Sequence, residues 1–110
     1  AVCAKPVSEA VLDWMFSVFM QAAPGADRSL AELATIDQRN ILAEIDFPVL
    51  SFVGSEDAFT PPGIGEFAAS CAKNGRVIRF EGCGHGPMFE NYEDYCAALL
   101  GFLAELETAS

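Results

Sequence analysis

Positive charge is scarce in this sequence: 6 Lys and Arg stand against 16 Asp and Glu, a net charge of −10 over 110 residues. Nucleic acid and anionic membrane surfaces are gripped by clustered Lys and Arg, so the shortage argues against both as partners. Histidine is scarcer still, with His85 alone, and none of the four cysteines (Cys3, Cys71, Cys83, Cys96) belongs to a C-x-x-C pair. A four-ligand zinc site therefore has no workable ligand set, and neither a metal nor a cofactor is expected. The thiols read as small reduced hydrophobes of a cytoplasmic protein. No apolar run is long enough to span a bilayer, and no basic start followed by an apolar stretch marks a signal peptide. The chain starts at Ala1 with no Met, so the natural N-terminus and any targeting segment are expected outside it.

Apolar material, by contrast, is plentiful, at 52% of the residues with nine Phe among them. A disordered acidic tail would be poor in such residues, so the chain folds. A body of this size buries only about 60 to 70% of its unfolded surface, and the surplus implies a face that something else covers.

The periodicity divides the chain. Within residues 8–22, Val11, Leu12, Met15, Phe16, Phe19 and Met20 recur at helical spacing, and Pro24-Gly25 closes the helix. Ser29 and Glu32 form an S-x-x-E capping box, which predicts a second helical piece from near Leu30, continuing with a break to about Ile45. After Pro48 the period changes. Val49 to Val53 is a short apolar run ending at Gly54, the pattern of a parallel strand buried on both faces. Gly63 to Lys73 reads as a helix stopped by a left-handed Asn74-Gly75, and Arg76 to Phe80 as a second strand. Asn91 and Asp94 cap a last helix on which Tyr92, Tyr95, Cys96, Leu99, Leu100 and Leu103 share a face. The order from Pro48 onward is β-α-β-α, a parallel unit flanked by helices. Two parallel strands do not make a self-sufficient sheet, so further strands are expected outside the chain.

Two loops follow the C-terminal ends of these strands, where open α/β sheets hold their reactive groups. One carries Asp57 and the other, Glu81 to Glu90, carries His85. Neighbouring parallel strands would set the two side by side, with the carboxylate holding one imidazole nitrogen and the other nitrogen free for substrate. Glu56 reads as a solvated neighbour, Asp46 as a loop acid and Glu90 as a loop or helix-start group. Thr60 and Ser55 read as turn and cap groups.

The runs Ile45-Asp46-Phe47-Pro48, Gly54-Ser55-Glu56-Asp57, Thr60-Pro61-Pro62 and Gly82-Cys83-Gly84-His85 through Glu90, closing on Phe102-Leu103, together resemble the C-terminal part of α/β-hydrolase-fold proteins of the esterase and lactonase type. The likeness covers about residues 45–104. It implies an α/β fold, with 45–110 the C-terminal β-α-β-α portion of a hydrolase core and 1–44 a helical segment at the end of a lid. It also implies that Asp57 is the triad acid and His85 the triad base. That family's nucleophile sits on a G-x-S-x-G elbow earlier in the chain, and no serine here has such glycines. The nucleophile and the oxyanion hole are therefore expected outside these residues, in an N-terminal portion that acts with them on a small, mostly apolar ester-like substrate. An alternative is a non-catalytic, truncated hydrolase-like module that covers its apolar face with a second copy.

Overall fold

The computed structural model of the chain describes residues 2–109. The Ser8 side-chain oxygen accepts the Val11 N–H (3.3 Å) and so starts helix α1, Glu9–Phe19. Helix α2 (Ala26–Glu32) begins directly after Gly25, runs into a 3-10 turn at Leu33–Thr35, and is followed by α3 (Arg39–Glu44). Ser29 thus lies inside α2 and does not cap it. The turn at Pro24-Gly25 already starts a helix there, so the S-x-x-E spacing is left in mid-helix, where both side chains are exposed.

Strand β1 (Val49–Gly54), helix α4 (Pro62–Cys71) and strand β2 (Gly75–Phe80) form the expected β-α-β unit. The strands pair in parallel, from Val49 opposite Gly75 to Gly54 opposite Phe80, and α4 packs on both. Gly75 opens β2 and is not a left-handed stop. It faces the Ala69 carbonyl so closely that a side chain would overlap it. Short helix α5 (Pro87–Glu90) and the long α6 (Tyr92–Ala109) complete the order. Asn91 precedes α6 and donates from Nδ2 to Asp94 (2.8 Å).

Most of the buried residues lie at the C-terminal end of the sheet, with Ala69 of α4 at the other end beside Gly75. Among the described residues the buried apolar side chains are Val53, Ala69, Phe80 and Cys83, and Gly54, Gly84, Gly86 and Pro87 are buried beside them. Phe52 stacks edge-on against Phe80 (5.4 Å) and Tyr95 (5.0 Å), which seats α6 on the sheet. Burial of β1 on both faces is realised only at Val53 and Gly54, because the described sheet has two strands and leaves Val49 to Phe52 half-buried. On α6, Tyr95, Cys96 and Leu99 turn inward while Tyr92, Leu100 and Leu103 are exposed.

The accessible surface is 7958 Å², against about 5900 Å² for a folded monomer of this mass. The radius of gyration is 15.8 Å, where about 13 Å is usual for the length. The surplus is apolar: Phe16, Phe19, Leu30, Phe47 and Ile64 are all more than half exposed. No helix among the described residues is long and apolar enough to cross a membrane.

Candidate active site

The loops after β1 and β2 meet because Gly54 lets their backbones touch, and Gly84 admits the N-terminal segment against the second loop. A Cβ on Gly54 would lie 2.0 Å from the Gly84 carbonyl oxygen and 2.5 Å from that of Cys83. One on Gly84 would meet the Val2 carbonyl oxygen at 2.7 Å and the Ala4 nitrogen at 2.8 Å. Only glycine allows backbone approach this close. The crossing is locked by hydrogen bonds from Glu56 N–H to the Cys83 carbonyl (2.9 Å) and from Gly82 N–H to the Ser55 hydroxyl (2.7 Å). Ser55 therefore ties one loop to the other.

Asp57 sits in the first loop with its side chain only 7% exposed. Its Oδ1 accepts the N–H groups of Phe59 (2.9 Å) and Thr60 (3.0 Å), an Asx-type turn. Its Oδ2 accepts the Thr60 hydroxyl (2.9 Å) and lies 2.8 Å from Nδ1 of His85. Burial works to raise this carboxyl, but the hydrogen bonds from Thr60, His85 and Phe59 outweigh it and hold the group at about 2. An ionised carboxylate only accepts, so Nδ1 carries the proton, and in the neutral ring Nε2 then keeps a free lone pair. The Thr60 oxygen stands 3.2 Å from the same Nδ1. Having given its proton to Oδ2, that hydroxyl can only accept from Nδ1–H, so two groups, the Asp57 carboxylate and the Thr60 hydroxyl, fix one tautomer.

The imidazole is half exposed and packs against the Phe59 ring, centroids 5.6 Å apart. With Asp57, Thr60 and Tyr95 it lines a recess of about 250 Å³. A larger groove of about 680 Å³ runs between the N-terminal segment and α1, with Val7, Leu12, Phe16 and Phe19 on its wall and no lining residue in common with the recess.

Of the acids, Asp46 pairs with Lys73 on the surface (2.5 Å) and Glu56 is exposed. Glu90, read as a loop or helix-start group, lies in α5 and does more than that reading implied: its carboxylate accepts backbone N–H groups of Ala4, Lys5, Gly84 and Gly86. Burial works against its charge, and these N–H groups outweigh that and hold its carboxyl below the ordinary value. The signal available in the sequence was its spacing, five residues after His85. The four cysteines are free thiols, burial pushes the Cys3 thiol up, and no group of three or more potential ligands among the described residues could hold a metal ion.

No protein-family model matches the chain. Over 87 residues, 79% of its length, the chain is 32% identical to a pimeloyl-[acyl-carrier protein] methyl ester esterase of Neisseria meningitidis serogroup C, of which it covers 31%. It is 38% identical over 79 residues, 72% of its length, to the protein of that name from Aromatoleum aromaticum, of which it covers 30%. The chain thus spans about a third of the length of these curated relatives. Among solved structures, a thermophilic esterase from Thermogutta terrifontis superposes with a TM-score of 0.60 and 28% identity, over 63% of this chain and 25% of that one. A protein assigned as a lipase from Acinetobacter baumannii superposes over 97% of this chain and 39% of its own, with a TM-score of 0.78; at 19% identity it speaks to the fold.

Proposed function

This chain carries the C-terminal portion of an α/β-hydrolase fold, and on that premise we propose that it supplies the acid and the histidine of an ester-hydrolysing site. The observation that carries the proposal is the 2.8 Å contact between Asp57 Oδ2 and His85 Nδ1, on a half-exposed ring. In this reading Nε2 of His85 takes the proton of a nucleophilic hydroxyl as it attacks the ester carbonyl, then delivers it to the leaving alcohol. Asp57 stays ionised throughout and stabilises the imidazolium. Water repeats the sequence on the acyl-enzyme and releases the acid. The nucleophile and the oxyanion donors belong to a portion outside these 110 residues, which would also cover the excess apolar surface.

The relatives' named substrate, a methyl ester on a pimeloyl chain carried by acyl-carrier protein, is the first to try. The apolar groove beside α1 fits a methylene chain, and a lactone would present the same bond within a ring. The test is hydrolysis of that ester, and of p-nitrophenyl esters, by the chain joined to its nucleophile-bearing portion. His85→Ala should cost at least about 10³-fold in kcat. Activity within tenfold of native in that variant sinks the assignment. The excess surface supports one further reading, a module without activity that pairs with a second copy. A dimeric mass for the chain alone, with no hydrolysis once the nucleophile-bearing portion is joined, would select it.

A further inference from the structure

His85 has a second support besides Asp57, and it acts on the backbone. Glu90 Oε1 accepts the N–H groups of Ala4 and Lys5, both at 2.6 Å, and that of Gly84 at 3.0 Å. Its Oε2 accepts Gly84 N–H at 2.9 Å and Gly86 N–H at 3.2 Å. Gly84 and Gly86 flank His85, so both peptide neighbours of the imidazole hang on one carboxylate. The loop's third N–H, that of His85 itself, donates to the Val2 carbonyl at 2.7 Å. Val2 lies in the segment that Glu90 grips through Ala4 and Lys5, so the carboxylate holds the loop directly and holds the strap across it as well.

We propose that Glu90 is a positioning residue for His85, setting the place of the imidazole through the backbone on either side of it. The inference rests on the reading of His85 as the proton-transfer base. Two glycines flank the histidine, and glycine leaves a loop many conformations in the absence of such a tether. A carboxylate suits the task because both of its oxygens only accept, each along two directions, and charge-assisted bonds of this kind are the stronger ones. An amide in its place would turn a donor toward N–H groups that are themselves donors. Displacing a proton acceptor by a fraction of an ångström lowers the chemical step while leaving ground-state binding intact.

The experiment compares native, Glu90→Gln, Glu90→Asp and His85→Ala forms of the hydrolase that includes this chain, measuring kcat and KM on a p-nitrophenyl ester and the proton resonance of His85 Nδ1–H. Glu90→Gln is expected to lower kcat about 10- to 100-fold with KM within twofold of native, and to shift or broaden that resonance. A kcat within twofold of native and an unmoved resonance, in a preparation where His85→Ala is inactive, overturns the inference and leaves the role of His85 standing. Activity that survives His85→Ala overturns the underlying reading instead. Should Glu90→Gln fail to fold, Glu90→Asp decides: it keeps the charge but draws the oxygens back by one methylene, so a native kcat in that variant is equally fatal.

Discussion

Replacing Asp57 by Asn should flatten the acid dependence of stability by a calculable amount. The carboxyl is held at about 2, against an ordinary value of 3.8. Because the folded value lies below the unfolded one, the ionised group stabilises the fold above about pH 4, and that contribution fades as pH falls toward about 2. At about 1.4 kcal/mol per unit, the difference amounts to about 2 kcal/mol. The carboxylate is nearly shielded from solvent, so little of this is lost to screening. Glu90 is displaced in the same direction and contributes to the same acid limb, so the native curve contains both groups. The Asp57→Asn variant separates them. Urea unfolding at a series of pH values from 2 to 7, followed by the fluorescence of Trp14 in α1 and by circular dichroism, reads the difference. Trp14 meets Phe89 edge-on at 5.8 Å, so its signal reports the docking of α1 on the helix beyond the histidine loop. Native and variant should differ by about 2 kcal/mol at pH 7 and converge near pH 2. A difference that stays constant across the whole range would refute the argument, because the variant would then act through lost packing and not through the charge.

Gly54→Ala drives a methyl group onto the backbone of the histidine loop and should destabilise by about 1 to 3 kcal/mol. Gly101→Ala in α6, which has nothing within 4 Å of its new methyl, should instead stabilise by about 0.5 to 1 kcal/mol; thermal melts of the pair compare them directly. Thr60→Val keeps the shape of the side chain but removes the hydroxyl from Asp57 Oδ2, so the acid-unfolding midpoint should move up in pH, with a loss of about 1 kcal/mol near neutrality. An unchanged midpoint would mean that the hydroxyl does not help to hold the Asp57 charge.

Local signals carried much of the fold. The apolar run at 49–53 and the segment 76–80 are strands, each short and bounded by Pro or Gly, and α4 falls between them as its spacing requires. The failures of such signals are visible too, in two places where a local motif competed with its surroundings. The Ser29 and Glu32 box lost to a helix already begun at Ala26, and Gly75 was needed in extended form for room beside Ala69 and not for a turn. Thr60 was legible as a turn residue, yet its hydroxyl also reaches both Asp57 and His85. Spacing within one loop does not disclose a contact with another.

By itself, the sequence determined that one histidine and one aspartate stand just beyond two neighbouring parallel strands, a placement that follows from strand order. The tertiary structure decided what holds them. Asp57 and His85 are 28 residues apart, and the bonds from Ala4 and Lys5 to Glu90 span 86 and 85 residues. Such contacts depend on where loops cross in space, and hence on two glycines that admit a neighbouring backbone, which periodicity and local motifs do not encode.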